Sequence, residues 1–158
     1  PELVTVGGSI SLSSNALLTA VDFSTLASVG GSISLSNNAL LTTVDFSMLV
    51  TVVSNLSVSN SPVSTLTVSN LASVGGQVSL SATSMTSLLA PELVVVGSLY
   101  IQSNPSLTSV ALTTLESIAN ALTVSSNAAL TSIEAPALAS VGSYFGIFSN
   151  PKIGRAHV

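Results

Sequence analysis

The chain contains no cysteine and no tryptophan, and its 158 residues include only two Lys or Arg, six Asp or Glu and one His. Without cysteine it has no disulfides and no thiolate metal ligands. With so few cations it cannot neutralise a run of phosphates, which argues against nucleic-acid binding. No run of about 18 apolar residues occurs, so no segment is predicted to span a membrane.

What the chain does contain is a motif that returns seven times with a period of 22–23 residues. The copies begin at Leu3, Leu26, Leu49, Leu71, Leu93, Leu115 and Leu138. Three residues after each Leu comes a β-branched residue, as at Val6 and Val29. Self-similarity at this period is typical of a stacked-repeat solenoid rather than a compact globule.

Within each copy, apolar residues alternate with polar ones. The pairs Ile10/Leu12 and Ile33/Leu35 show a spacing of two, which is the periodicity of a strand. A spacing of three marks the corners, and no sustained 3.6-residue pattern appears. The sequence therefore predicts an all-β fold: a parallel β-solenoid over residues 1–152, with about seven coils of two or three short strands each.

An Asn recurs shortly after the alternating pair, and the fourth copy alone has Ala82-Thr83 there. The predicted members of this column are Asn15, Asn38, Asn60, Asn104, Asn127 and Asn150. A side-chain amide at a tight corner can satisfy backbone groups of its own turn and of the next coil. The column is therefore predicted to be a structural ladder that fixes the register. Gly pairs such as Gly7-Gly8 are predicted to provide positive φ or close backbone approach.

The pattern L-x-x-V-G-G-x-L-x-L-x-x-N-x-x-L-x-x-V covers residues 1–152 and resembles a leucine-rich-repeat variant. It is most similar to receptor L-domains, and it also resembles the repeats of fungal glycolipid-anchored cell-wall proteins. The resemblance implies a right-handed parallel β-solenoid and an extracellular, cell-surface or cell-wall location. Receptor L-domains have disulfide-bonded caps that this chain lacks, so a hormone-receptor role is not carried over.

Both ends of the chain look unnatural. The first four residues match residues 91–94, which predicts that the chain starts inside a longer repeat array. Residues 153–158 break the composition, and the string ATC-GGA-AGA-GCA-CAC-GTC of a widely used sequencing adaptor encodes them. We therefore expect residues 153–158 to be a translated artefact and residues 1–152 to be a fragment that lacks capping coils at both ends.

The chain offers little for catalysis. Serines abound, but the only candidate base, His157, lies in the suspected artefact. Asp22 and Asp45 share one outward repeat position and are expected to stack one coil apart. Stacked carboxylates could bind Ca²⁺, although two solvated acids that supply solubility are the favoured interpretation. The sequence predicts no enzyme activity, no cofactor and no metal site.

Residues beside the inward pairs must point outward. In the N-terminal half these are small hydroxyls, and the C-terminal half adds aromatic and amide side chains. The candidate ligand-face residues are Ser11, Ser34, Ser57, Ser79, Tyr100, Gln102, Tyr144 and Phe148. In binding faces, aromatics serve as anchors and hydroxyls as adaptable hydrogen-bonding groups. For the serines, a soluble and strand-compatible filler is the alternative interpretation.

Together these observations predict a non-catalytic recognition or adhesion module, secreted or at the cell surface, that binds a protein or carbohydrate through its exposed strand face. One alternative is a structural spacer of a cell wall or matrix. Ice binding is a minor alternative, because the hydroxyl rows are interrupted and the coil length varies. Asn55-Leu56-Ser57 is the only N-x-S/T sequon without a central Pro, and it fits glycosylation of a secreted eukaryotic protein. Chance occurrence in so serine-rich a chain is the alternative interpretation.

Overall fold

In this computed structural model residues 2–158 are described, and every regular element in that range is a β-strand. The strands are β1 (Thr5–Val6), β2 (Ile10–Ser13), β3 (Ala20–Asp22), β4 (Ser28–Val29), β5 (Ile33–Ser36), β6 (Thr43–Asp45), β7 (Thr51–Val52), β8 (Leu56–Ser59), β9 (Thr65–Thr67), β10 (Ser73–Ser81), β11 (Ser87–Leu89), β12 (Val95–Gln102), β13 (Ser109–Ala111), β14 (Ser117–Ile118), β15 (Ala121–Ser125), β16 (Ser132–Glu134), β17 (Ser140–Val141), β18 (Tyr144–Phe148) and β19 (Arg155–His157). Accordingly, residues 2–158 form no helix able to cross a bilayer.

The strands stack in three parallel columns along the solenoid. Column 1 contains β1, β4, β7, β14 and β17, together with the N-terminal parts of β10 and β12. Column 2 contains β2, β5, β8, β15 and β18, together with the C-terminal parts of β10 and β12. Column 3 contains β3, β6, β9, β11, β13, β16 and β19. Equivalent residues of neighbouring coils pair directly, as Ile33 does with Ile10 and Leu56. The predicted all-β parallel solenoid of about seven coils is confirmed.

One continuous apolar core fills the inside of the coils. In the strands, inward residues such as Leu35, Val58 and Ile101 are fully buried and alternate with outward polar residues, as the spacing of two predicts. The corner residues join the same core. Phe23 and Phe46 stack one coil apart, with ring centroids 5.8 Å from each other. Each coil therefore buries its apolar residues mainly against the coils on either side.

An Asn ladder lines the corner that follows column 2. Asn127 shows the pattern: its Oδ1 accepts the backbone N–H of Asn104 at 3.0 Å, and its Nδ2 donates to the carbonyl of Ile101 at 3.0 Å. Asn38, Asn104 and Asn150 repeat this pattern, so each of these amides satisfies one donor and one acceptor of the preceding coil. Five of the predicted ladder residues occupy this position: Asn15, Asn38, Asn104, Asn127 and Asn150.

The prediction that Asn60 belongs to the ladder is wrong. Ser61 takes the ladder position in that coil, where its Oγ accepts the N–H of Asn38 at 3.0 Å. Asn60 instead adopts the left-handed conformation, with φ 49°. Each ladder residue follows such a left-handed residue, namely Ser14, Asn37, Asn60, Ala82, Ser103, Ser126 and Ser149. Asn tolerates this conformation better than most residues, which explains why an Asn stands one residue before the ladder position in the third coil.

The ladder is broken between the third and fourth coils. Ser61 Oγ donates within its own turn to the carbonyl of Ser59, and Thr83 Oγ1 donates to Asn104 Oδ1 at 2.7 Å. Within residues 2–158 the buried N–H of Ser61 donates to no acceptor. Column 3 is interrupted between the same coils, and an apolar cavity of about 20 Å³ lies there beside Leu66 and Leu88. The three features together mark the least tightly bonded junction of the stack.

Thr83→Asn should repair this junction. The new amide can accept the N–H of Ser61 and donate to the carbonyl of Val58, as Asn104 does with Thr83 and Leu80. We expect the free energy of unfolding to rise by about 1 kcal/mol, the net worth of a hydrogen bond. Urea denaturation followed by circular dichroism measures it. Thr83→Val, which has similar volume and no acceptor, should lower stability, and a Thr83→Asn variant no more stable than wild type would contradict the repair.

Glycines allow close stacking at the bend between columns 1 and 2. A Cβ on Gly97 would lie 2.5 Å from the carbonyl oxygen of Gly76 and 2.6 Å from that of Gly75. At Gly8, by contrast, a Cβ would meet nothing within 4 Å. Within residues 2–158 no Gly has positive φ. Close backbone approach is therefore confirmed as a role of these glycines, and positive φ is wrong.

The last residues continue the repeat geometry. β19 pairs with β16 in column 3, placing Ala156 opposite Ile133, and Ile153 packs against the core. This placement follows from the apolar spacing of Ile153 and Ala156, which matches the preceding coil. It does not bear on where the segment comes from, so the adaptor origin of residues 153–158 stays a prediction.

Candidate functional site

The outward side of column 2, here called the strand face, presents three parallel rows of side chains. The entry row is Ser9, Ser32, Asn55, Gln77, Ser98, Ala121 and Tyr144. The middle row is Ser11, Ser34, Ser57, Ser79, Tyr100, Thr123 and Gly146. The exit row is Ser13, Ser36, Ser59, Ser81, Gln102, Ser125 and Phe148. All eight predicted ligand-face residues lie on these rows.

Several side chains of the entry row hydrogen-bond to the backbone of the neighbouring coil. Ser9 Oγ accepts the N–H of Ser32 at 2.9 Å, and Asn55 Oδ1 accepts the N–H of Gln77 at 2.8 Å. Further along the row, Ser98 Oγ accepts the N–H of Ala121 at 3.5 Å. These side chains bridge neighbouring coils where the glycine bend interrupts strand pairing. Sequence analysis missed this ladder, although a Ser, Asn or Gln recurs at the strand entry of five coils.

Most candidate side chains of the middle and exit rows make no hydrogen bond within residues 2–158. Ser11 Oγ lies 3.4 Å from Ser13 Oγ, which in turn accepts from Ser36 Oγ at 3.4 Å. Within residues 2–158 the other candidate side chains of these two rows make no hydrogen bond, namely Ser34, Ser57, Ser79, Tyr100 and Gln102. Their polar groups are available to solvent or to a ligand.

Aromatic side chains gather at the C-terminal end of the strand face. Tyr144 is 52% exposed and Phe148 48% exposed, and Tyr100 is partly exposed. The ring of Tyr144 lies over Gly146, where a Cβ would collide with it. Because Gly146 has no side chain, the Tyr144 ring can lie flat on the sheet. The result is an apolar patch with phenol groups that have no hydrogen-bonding partner within residues 2–158.

Two hydroxyls form the floor between these aromatics. Thr123 and Ser125 point outward but are each only 5% exposed. Thr123 pairs with Tyr100 on one side and Gly146 on the other, and Ser125 pairs with Gln102 and Phe148. We define the aromatic patch as Tyr100, Gln102, Tyr144 and Phe148. Its members come from two coils that flank a coil with small side chains, so the patch is a shallow trough rather than a plane.

The acidic residues serve the turns. Asp22 and Asp45 pair in register on column 3, as predicted. Asp22 Oδ1 accepts the N–H of Ser24 at 3.0 Å, and Asp45 Oδ1 accepts the N–H of Ser47 at 2.8 Å. Hydrogen bonds from the Ser24 hydroxyl and backbone hold the pKa of Asp22 below its ordinary value. Within residues 2–158 no three His, Cys, Asp or Glu side chains gather as metal ligands.

A second hydroxyl ladder, also missed from the sequence, runs between the Asn corner and column 3. Thr108 Oγ1 donates to the carbonyl of Thr86 at 2.8 Å, and Thr131 Oγ1 donates to that of Thr108 at 2.9 Å. Thr42 and Ser64 repeat the pattern in earlier coils. The signal was a Ser or Thr one residue after the corner Leu in most copies. Many hydroxyls of this chain therefore hold coils together rather than face a ligand.

Comparison with family models, curated proteins and solved structures gave no significant match for this chain. The likeness to leucine-rich repeats and receptor L-domains thus stays a prediction from the repeat pattern. The strand face is the candidate functional site, because polar and aromatic side chains are exposed there and make no hydrogen bond within residues 2–158.

Proposed function

We propose that this protein is a non-catalytic recognition or adhesion module, secreted or held at the cell surface, that binds a protein or carbohydrate through its strand face. One observation supports this most: the side chains of Tyr100, Gln102, Tyr144 and Phe148 point outward, and within residues 2–158 the three polar ones make no hydrogen bond. Side chains that only hold neighbouring coils together are hydrogen-bonded to them, as those of Ser9 and Asn55 are.

The chemistry of the aromatic patch suits a sugar or an uncharged protein surface. Aromatic rings offer large apolar contact area, and their phenol groups can hydrogen-bond with a ligand. Gln102 adds both a donor and an acceptor. No Lys or Arg lies on the strand face, so a phosphate-rich ligand would find no countercharge. Recognition would therefore depend on shape, stacking and neutral hydrogen bonds.

The test is a glycan and extracellular-protein array probed with the tagged chain and the variant Tyr100→Ser/Tyr144→Ser. Loss of two central aromatics should weaken binding more than about tenfold, because such residues dominate interface energies. The matched control is Thr43→Ala/Thr65→Ala, which changes two exposed residues on the outward side of column 3 and should leave binding unchanged. Thermal unfolding confirms that both variants fold. Full binding by the double-Tyr variant would sink the site assignment.

A structural spacer of a cell wall or matrix is the second candidate. It is favoured by the two hydrogen-bonded ladders at the corners, which tie successive coils along much of the stack. A spacer would tolerate the Tyr100→Ser/Tyr144→Ser change in every assay. It would lose function only when the ladder or core is damaged. The array experiment separates the two candidates, because only a recognition module gives a signal that depends on the aromatic patch.

A further inference from the structure

The sequon Asn55-Leu56-Ser57 lies on the strand face of the third coil, two coils before Tyr100, the first residue of the aromatic patch. Leu56 is buried in the core, so Asn55 and Ser57 point outward on the same side of β8 and its entry. Asn55 is exposed. Four strand spacings separate its row position from that of Tyr144, roughly 19 Å at about 4.8 Å per spacing.

The hydrogen bonds of Asn55 fix which side-chain atom is free. Its Oδ1 accepts the N–H of Gln77 at 2.8 Å, and its own N–H donates to Ser32 Oγ at 3.2 Å. Within residues 2–158 its Nδ2 makes no hydrogen bond. In the folded chain Oδ1, which glycosylation does not modify, is hydrogen-bonded. Nδ2, the atom that receives the sugar, is free.

The row neighbours of Asn55 leave room for a sugar. Ser32 and Ser34 lie on the coil before, and Gln77 and Ser79 lie on the coil after. All but Gln77 are small. A saccharide on Nδ2 would meet short hydroxyl side chains rather than a wall.

We propose that Asn55 is an N-glycosylation site, an inference that rests on the proposed passage of this protein through a secretory route. In the transfer, Nδ2 attacks C1 of the sugar of a lipid-linked oligosaccharide. The N–C1 bond forms as the C1–O bond to diphosphate breaks, and the lipid diphosphate leaves with the electron pair. One proton is lost from Nδ2, and the Oδ1 bond to Gln77 survives. The glycan covers the serine-rich half of the strand face.

The experiment is secretion of the whole 158-residue chain from yeast behind a secretory leader. Intact mass is measured before and after treatment with peptide N-glycosidase F, and peptide mapping locates any Asn-to-Asp conversion. We expect a mass loss on treatment and conversion at Asn55 alone. Secreted wild-type chain with no glycan at Asn55 would overturn the proposal.

Variants at Ser57 make the result specific. Ser57→Ala removes the sequon while keeping Asn55 and its bond to Gln77, so the glycan should disappear from a folded protein. Ser57→Thr keeps the sequon and should keep the glycan. Ser34→Ala changes the same row one coil earlier and should have no effect. A glycan that persisted in Ser57→Ala would overturn the assignment. A chain that carries the glycan but binds nothing on the array would refute only the recognition function. A chain that binds on the array but carries no glycan would refute only the glycosylation site.

Discussion

Asn127→Ala should lower the free energy of unfolding by about 3 kcal/mol, because buried groups left without partners cost about 1–3 kcal/mol each. Removing the amide leaves the buried N–H of Asn104 without an acceptor and takes away the donor that bonds to the carbonyl of Ile101. It also removes the contact between Asn127 Nδ2 and Asn150 Oδ1 at 3.3 Å. Asn127 is fully buried, so water cannot replace these bonds. Urea denaturation followed by circular dichroism measures the loss.

Asn15→Ala is the matched control for this ladder prediction. Asn15 occupies the equivalent position, but it is exposed, and its Nδ2 bonds to Asn38 Oδ1 and to Ser13 O are 3.2 and 3.3 Å long. Water can replace both partners, so the change should cost less than about 1 kcal/mol. Equal losses for Asn15→Ala and Asn127→Ala would show that the ladder amides do not stabilise the stack through their buried hydrogen bonds.

Gly97→Ala should be similarly damaging, with a loss of about 3 kcal/mol at the upper end of overpacking effects. Its Cβ would meet two backbone oxygens of the preceding coil, those of Gly76 and Gly75, at 2.5–2.6 Å. Backbone cannot rotate away as a side chain can, so the two coils must separate at the bend. That separation also weakens the pairing of β10 with β12 on both sides of the bend.

Gly8→Ala gives the control for the stacking prediction. The same substitution there meets nothing within 4 Å, so stability should stay the same or rise by up to about 1 kcal/mol. Thermal and urea unfolding of both variants measure the contrast. If Gly97→Ala unfolded at the same urea concentration as Gly8→Ala, close coil approach would not be the reason for glycine at the bend.

The fold could be predicted because each coil repeats the same constraints. Spacing of two in Ile10/Leu12 and of three at the corners leaves one inward set per coil, and seven copies make the pattern unambiguous. Stacking in register then follows, since only equivalent residues bury each other. The repeat predicted two or three strands per coil, and the structure has three columns.

The ladder position in the third coil could not be predicted from Asn alone, because Asn also favours the left-handed position just before it. Asn60 and Asn37 both sit there. The useful signal was proline: Ser61 precedes Pro62 as Asn104 precedes Pro105 and Asn150 precedes Pro151. Aligning the prolines would have placed Ser61 in the ladder.

The candidate site was only partly predictable. Alternation placed Tyr100, Tyr144 and Phe148 on the outward face, where the structure also has them. It could not show that the entry-row side chains bind backbone N–H groups of the next coil, since that depends on side-chain rotamers. Nor could it show that Thr123 is covered, because this depends on the bulk of the residues on the neighbouring strands.

The most direct measurement of the proposed function uses the fact that the chain has two Tyr and no Trp. Both tyrosines, Tyr100 and Tyr144, belong to the aromatic patch, so intrinsic fluorescence reports on that site alone. Acrylamide quenching of this emission should be measured with and without an array-positive ligand at saturation. The account predicts that the ligand protects the tyrosines and lowers the quenching constant. A ligand that binds fully, by calorimetry, while the emission and its quenching stay unchanged would contradict recognition through the aromatic patch.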